Sequence, residues 1–120
     1  MEKFTKMKLK ELMNIEERLL HIQITHMFDI PFNDIVLLKN HLKEIGDITS
    51  IYFELVEEYC EKVKVEQSDL SYDEKKNIVQ EYNDNILNSE VYNVPNYHDI
   101  LIFLDKYQNL TNRVLNSSMN

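Results

Sequence analysis

Two short runs of carboxylates are the feature of this sequence that most directly suggests a chemistry. Glu57, Glu58 and Glu61 form the first run, and Glu81 and Asp84 follow after nineteen intervening residues. Carboxylates three or four residues apart lie on the same side of a helix, and magnesium prefers hard oxygen ligands of this kind. Two such helices packed side by side could hold metal ions across the groove between them. The spacing therefore permits a magnesium site.

The order of these acidic residues resembles the signature of the MazG-like, all-α nucleotide pyrophosphohydrolases, over residues 57–84. The resemblance implies that the two runs lie on adjacent antiparallel helices and hold magnesium. The metal would bind a nucleoside triphosphate, and water would attack between its first two phosphates. An enzyme of this class is therefore one hypothesis, and its metal ligands would be Glu57, Glu58, Glu61, Glu81 and Asp84.

The neighbouring apolar side chains favour a different interpretation of the same carboxylates. On helical projections, the acidic side chains point away from the apolar stripes of their own segments. Those stripes are formed by Leu55, Tyr59, Val63, Val79, Tyr82 and Ile86. Because an apolar stripe packs against the protein interior, the carboxylates are expected to face water. This interpretation predicts solvated acidic faces, with no metal, no cofactor and no catalytic residue.

The composition indicates one globular domain. The chain has 120 residues, of which 43% are hydrophobic and 28% are charged, and this balance is typical of folded proteins that bury their own core. Cys60 is the single cysteine, so an internal disulfide is excluded. Neither a signal peptide nor a membrane span is expected, because no run is apolar enough. We expect a helical domain over residues 1–115, a frayed tail over residues 116–120, and a cytoplasmic location.

The charge distribution argues against nucleic acid as the main partner. The net charge is −8, and residues 46–74 hold nine acidic residues against two basic ones. Such a segment would repel phosphates. The first ten residues are different, because they hold one glutamate and four lysines, which are Lys3, Lys6, Lys8 and Lys10. A regulator that binds nucleic acid through this lysine-rich segment is therefore a second alternative.

Helical periodicity runs through the whole chain, whereas strand signals are nearly absent. The first helix is predicted from about Lys3 to Phe28, with two roughly opposite apolar stripes. One stripe contains Phe4, Leu12, Ile15, Leu19, Ile22 and His26, and the other contains Leu9, Met13, Leu20, Ile24 and Met27. A helix that is apolar on two sides must be covered on two sides. The first helix is therefore expected at the centre of a bundle or at a dimer interface.

Capping residues divide the rest of the chain into four more predicted helices. Pro31 ends the first helix, Gly46 ends the second, and Asp47 caps the third. Ser71 begins the fourth helix and Asn96 the fifth. The inward side chains of the last three helices are predicted to include Ile51, Tyr52, Leu55, Val63, Tyr72, Val79, Ile100, Phe103, Leu104 and Tyr107. These elements predict an all-α, up-and-down bundle of about five helices.

Surplus apolar surface makes binding of another protein the favoured function. It lies on the second stripe of the first helix, and at Tyr92 and Tyr97, which flank the Val94-Pro95 loop. Exposed tyrosines are frequent anchors at protein interfaces. The predicted partner-binding residues are Leu9, Met13, Leu20, Ile24, Met27, Tyr92 and Tyr97. The partner would be a different protein, or a second copy in a homodimer.

The source of the chain is also reflected in its composition. Ala is absent and Gly occurs once, whereas Lys, Asn and Ile are abundant. Residues with AT-rich codons are therefore in excess, as in a low-GC bacterium, its phages or its mobile elements. The sequence as a whole is interpreted as a small acidic, non-enzymatic regulator, inhibitor or adaptor from such a source.

Overall fold

The computed structural model describes the backbone of residues 6–118 and the side chains of residues 6–107. In chain order its elements are β1 (Lys6–Lys8), α1 (Leu9–His26), α2 (Phe32–Glu66), α3 (Tyr72–Leu87), β2 (Glu90–Tyr92) and α4 (Tyr97–Ser118). The protein is mostly helical, as predicted. The predicted count of five helices is not confirmed, because the described residues form four. The predicted tail begins inside α4, and residues 119–120 lie outside the described range.

α1 turns the first of its two apolar stripes into the core. Five residues of that stripe are buried, namely Leu12, Ile15, Leu19, Ile22 and His26, whereas Phe4 lies outside the described range. The stripe forms because 3.6 residues per turn align these positions on one face. The helix begins at Leu9 rather than near Lys3, since Lys8 has an extended backbone. The Lys8 backbone N–H donates to the Glu11 carboxylate at 3.4 Å.

A two-stranded antiparallel sheet joins the beginning of the described chain to the segment between α3 and α4. Lys6 pairs with Tyr92, Met7 with Val91, and Lys8 with Glu90. Met7 is buried against the helical core, while its neighbours Lys6 and Lys8 are exposed. This alternation follows from the period of two in a strand. The sequence prediction of an all-helical start was therefore wrong at Lys6–Lys8.

α2 is one continuous helix of 35 residues, so the predicted helix break at Gly46 and Asp47 was wrong. Gly46 has no positive φ, and it sits where α1 and α2 approach each other closely. A Cβ placed on Gly46 would lie 3.6 Å from Glu16 Oε2. One turn further along, the hydroxyl of buried Thr49 donates to the same Glu16 oxygen at 2.9 Å. The contact between α2 and α1 therefore favours a helical conformation at Gly46.

Replacing Gly46 with Ala is expected to raise the free energy of unfolding by about 0.5–1 kcal/mol. Glycine in a helix interior costs about that much relative to alanine, and the new methyl group would meet Glu16 at an ordinary contact distance. Urea denaturation at one fixed protein concentration would show a higher midpoint with an unchanged slope. A lower midpoint would mean that the α1–α2 contact has no room for the methyl group.

α4 lies beside the first half of α2 and runs antiparallel to it. Asn96 Nδ2 donates to the Glu44 carboxylate at 2.9 Å, and the ring of Phe103 meets that of His41 edge to face at 6.0 Å. Further along, Lys106 Nζ lies 2.8 Å from Asp34 Oδ2. The predicted inward side chains of this helix are buried at Ile100, Phe103, Leu104 and Tyr107. α1, α4 and the first half of α2 thus share one core.

Asp34 fixes the position of α4 against the start of α2. Its carboxylate accepts hydrogen bonds from Lys106 Nζ at 2.8 Å and from the buried hydroxyl of Tyr107. These two hydrogen bonds hold the pKa of Asp34 below its ordinary value, because they favour the charged carboxylate. Asp34 also lies in the first turn of α2, where the helix dipole favours a negative charge.

α3 packs mainly against the second half of α2 and makes a smaller contact with α1, and we call residues 50–87 the arm. Ser71 caps α3 as predicted, since its hydroxyl accepts from the Glu74 backbone N–H at 3.2 Å. The rings of Tyr59 and Tyr82 stack with centroids 4.0 Å apart, and the Tyr52 hydroxyl donates to the Asn83 side chain. These contacts set the antiparallel register of the two helices in the arm.

The arm is thinly packed, and this contradicts part of the predicted core. Tyr52 and Val63 are buried as predicted, but Ile51, Leu55 and Tyr72 are exposed. The prediction failed at these positions because only one helix covers this half of α2, so a wide apolar stripe cannot be enclosed. Every residue of α3 is described, and none of them is fully buried.

Candidate functional site

The five carboxylates that suggested a metal site are all exposed to solvent. Asp84 Oδ1 accepts from the Gln80 side chain at 2.9 Å, and Glu61 lies 4.0 Å from Lys64 Nζ. Over the described residues, no group of three or more His, Cys, Asp or Glu side chains is arranged to hold a metal ion. α2 and α3 are adjacent and antiparallel, as the resemblance implied, but they meet through Tyr52, Tyr59 and Tyr82 rather than through their acidic faces.

The lysine-rich segment is partly engaged within the protein itself. Lys6 Nζ lies 3.1 Å from Glu90 Oε1 across the two-stranded sheet. Hydrogen bonds from Tyr92 and then Lys6 hold the pKa of Glu90 below its ordinary value, since both favour the carboxylate. Lys8 and Lys10 are exposed, and Lys3 lies outside the described residues. The positive charge of this segment is therefore partly neutralised by Glu90.

The predicted partner-binding stripe of α1 is exposed at one end and covered at the other. Leu9 is buried, Met13 and Met27 are half-buried, and Leu20 and Ile24 are exposed. The sheet and α3 contact the beginning of α1, and between them the Ser89 carbonyl accepts from the Leu9 N–H at 2.9 Å. Apolar surface that is open to a partner therefore lies toward the end of α1.

Tyr92 and Tyr97 differ in the same way. Tyr92 is exposed on β2, and its hydroxyl donates to Glu90. Tyr97, the first residue of α4, is half-buried and packs against the hydrophobic core. Asn93 and Asn96 have φ values of 56° and 55°, a left-handed conformation that asparagine tolerates better than most residues. These turns place Tyr92 outward and Tyr97 against the core.

The exposed end of α1 continues into an apolar surface at the turn between α1 and α2. Ile24 is 81% exposed, Phe28 is 96% exposed and Phe32 is 75% exposed. Ile24 lies in the last turn of α1, Phe28 lies in the turn that follows, and Phe32 and Val36 lie at the beginning of α2. Ile24 and Val36 lie on the sides of their helices away from the buried stripes, at the end of the α1–α2 pair where the turn joins the two helices. We call the surface formed by Leu20, Ile24, Phe28, Phe32 and Val36 the turn patch.

Leu20 and Ile24 of the turn patch were predicted from the sequence to bind a partner, whereas its two phenylalanines were not. The signal was the pattern Phe28-x-x-Pro31-Phe32, which places an aromatic residue on each side of a helix break. Two aromatic side chains at a turn are ordinarily folded back onto the protein, because burying a phenylalanine is favourable by about 1.5–3 kcal/mol. Here both side chains remain in solvent.

His41 is a buried ionisable side chain that lies outside the turn patch. It is 4% exposed and lies between α2 and α4, and within the described residues its Nδ1 atom has no hydrogen-bond partner. Burial holds the pKa of His41 below its ordinary value, against the opposing charges of Glu44 and Asp99. The neutral form of the His41 ring is therefore favoured, and the ring packs edge to face against Phe103.

Comparison with known proteins does not assign the chain to a class. Comparisons with protein-family models, with curated proteins and with solved structures found no match. Among the described residues, no helix is both long enough and apolar enough to cross a bilayer. The function must therefore be inferred from the surfaces that the fold exposes.

Proposed function

We propose that this protein is a small acidic, non-enzymatic module that binds another protein through the turn patch. The exposure of Ile24, Phe28 and Phe32 is the observation that carries the proposal. Each such side chain would contribute about 1.5–3 kcal/mol if a partner removed it from water. Phenylalanine, like tyrosine and tryptophan, is enriched in the buried cores of protein interfaces relative to the rest of the surface.

The charge of the protein favours a partner with a basic surface around an apolar site. The net charge of −8 would accelerate encounter with a positive surface and slow encounter with a negative one. The role would be that of a regulator, an inhibitor or an adaptor in the cytoplasm. The AT-rich amino-acid usage supports a low-GC bacterium, its phage or a mobile element as the source.

Affinity capture with matched variants tests this proposal. The tagged protein is expected to capture a partner. Combining Ile24→Asp with Phe28→Asp is expected to reduce the captured amount at least about tenfold, which is equivalent to about 1.4 kcal/mol of binding free energy. Both residues are exposed, so this variant should fold normally. The control combines Val65→Asp with Ile102→Asp, at apolar residues that are also exposed but lie outside the turn patch. Equal capture by all three proteins would refute a binding role for the turn patch.

The nucleotide pyrophosphohydrolase hypothesis can be tested with the same preparation. We expect no pyrophosphate when the protein is incubated with magnesium and a panel of nucleoside triphosphates. Pyrophosphate release that disappears in the combined Glu61→Gln and Glu81→Gln variant would indicate that the protein is an enzyme rather than an interaction module. Those two carboxylates are exposed on opposite helices of the arm, so their amides should not alter the fold.

A further inference from the structure

Positive charge is concentrated in one groove of the otherwise acidic arm. The arm, all of whose residues are described, holds ten acidic residues and four lysines. A groove of about 620 Å³ between α2 and α3 is lined by one of those acidic residues, Glu61, and by three of the lysines, which are Lys64, Lys75 and Lys76. The lining is therefore positive in a protein whose net charge is −8. A local surplus of one sign favours a ligand of the other sign.

Two of these lysines have no ionic partner inside the protein. Lys64 Nζ lies 4.0 Å from the Glu61 carboxylate, so its charge is partly compensated. Over the described residues, the side chains of Lys75 and Lys76 form no ion pair. Lys76 is exposed, and Lys75 is half-buried at the edge of the groove. Both ammonium groups are therefore available to an anion that enters the groove.

The three lysines lie together at one end of the groove. The stacking of Tyr59 on Tyr82 sets the antiparallel register of α2 and α3, which brings Lys75 and Lys76 near the level of Lys64. This level is close to the tip of the arm, because α2 ends and α3 begins within a few residues of the lysines. The positive end of the groove therefore receives one lysine from α2 and two from α3.

The other end of the groove is uncharged and largely apolar. Val56, Cys60 and Val79 line it and are half-buried, so part of their surface is still open to water. The remaining side chains that line this end, Gln80 and Asn83, are neutral amides. Along α2, Val56 is eight residues from the lysine end, a distance of about 12 Å. The groove thus has a positive end and an apolar end.

We propose that the groove binds a single-chain amphiphilic carboxylate, with its head at Lys75 and Lys76 and its alkyl chain along the apolar end. A ligand with charge at one end matches a groove with lysines at one end. An acidic helix of a partner protein fits less well, because its charges are spread along its length and the apolar end offers them no lysine. The volume of about 620 Å³ lies within the range of about 300–1,000 Å³ that is typical of small-molecule sites.

The acidity of the whole protein does not prevent this binding. The net charge of −8 opposes the approach of an anion, but at about 0.15 M salt charges more than about 8 Å away are largely screened. The lysines that line the groove are the cations nearest to a bound head group. The proposal uses a different surface from the turn patch and does not depend on it.

Cys60 gives a local readout of ligand binding, because it lines the groove and is the single cysteine of the chain. Decanoate, used below its micelle concentration, is expected to slow the alkylation of Cys60 by iodoacetamide and to bind with a submillimolar Kd in titration calorimetry. Octanoate, which is two methylenes shorter, should bind about fourfold more weakly, since a groove that covers about half of the chain gives about a twofold gain per methylene. Decanol, with a neutral head, should bind at least about fivefold more weakly than decanoate.

Paired lysine variants separate the groove from the overall charge of the protein. Combining Lys75→Gln with Lys76→Gln should weaken decanoate binding at least about fivefold and leave decanol binding unchanged. The control combines Lys39→Gln with Lys43→Gln, at exposed positions in the first half of α2, and changes the net charge by the same amount. The control should bind decanoate as wild type does. Circular dichroism checks that each variant keeps its helices.

Three results would overturn the proposal. One is an unchanged alkylation rate of Cys60 at about 1 mM decanoate, the weak end of the affinity scale. Another is equal binding of decanoate and decanol, or equal losses in the two lysine pairs, since the lysines of the groove would then not select the carboxylate. The third is loss of the protection of Cys60 in the combined Ile24→Asp and Phe28→Asp variant, which would assign the ligand to the turn patch. Protection that persists in that variant supports the groove, whether or not the turn patch captures a partner.

Discussion

Replacing Ile45 with Ala is expected to lower the free energy of unfolding by about 3 kcal/mol. Ile45 lies near the middle of α2 with 0% of its surface exposed, and it belongs to the core cluster that α1 and α4 share with this helix. Truncating a buried isoleucine to alanine removes favourable burial and leaves a cavity, and the two effects together typically cost 2–5 kcal/mol. Urea denaturation at one fixed protein concentration measures the loss.

Ile51 provides the matched control, because it is the same residue type in the same helix but is 53% exposed. Ile51→Ala is expected to cost less than about 1 kcal/mol, since its side chain already contacts water in the folded state. Similar losses at Ile45 and Ile51 would contradict the described division of α2 into a well-packed first half and a thinly packed arm. A small loss at both positions would mean that the shared core is not tightly packed.

Replacing Asp34 with Ala is expected to cost about 2 kcal/mol at neutral pH. The change removes a carboxylate that accepts from Lys106 at 2.8 Å and from Tyr107. Hydrogen bonds to charged groups contribute about 1.5–3 kcal/mol, and the change removes the hydrogen bond that the Tyr107 hydroxyl makes to Asp34. Asp105→Ala is the control, because Asp105 is exposed on the same helix as Lys106 and its loss should be nearly neutral.

The pH dependence of this effect has a definite sign. The pKa of Asp34 is lower in the folded protein than its ordinary value, which is about 4 in an unfolded chain. The unfolded chain therefore binds the proton more readily, and acid favours unfolding. The contribution of Asp34 is fully present above about pH 4 and is lost as the pH falls through the folded-state pKa. The stability difference between wild type and Asp34→Asn should shrink over that acid range, whereas a constant difference would contradict the charge-based explanation.

Local pattern was sufficient to predict the core-facing sides of α1 and α4. The inward stripes at Leu12, Ile15 and Leu19, and at Ile100 and Phe103, were correct because helical period depends on residues only three or four apart. The cap at Ser71 was correct for the same reason. Each of these features is determined within one or two helical turns, so the rest of the fold is not needed to recognise it.

Features that depend on distant parts of the chain were not predictable in this way. Gly46 matches a helix-stop signal, yet contact with α1 keeps α2 continuous there. The pairing of Met7 with Val91 joins segments that are far apart in sequence, and each strand is too short for a pattern of its own. The exposure of Phe28 and Phe32 depends on whether another element covers the turn, and their own sequence does not specify that.

The continuity of α2 has a consequence for the distance between the turn patch and the arm. From the turn near Phe32 to Cys60 the helix advances 28 residues, or about 42 Å. That separation is larger than the diameter of a small folded domain, and no hinge interrupts it. The helix therefore separates the turn patch from the second half of the arm, so that a small partner bound at the turn patch would leave that part of the arm accessible.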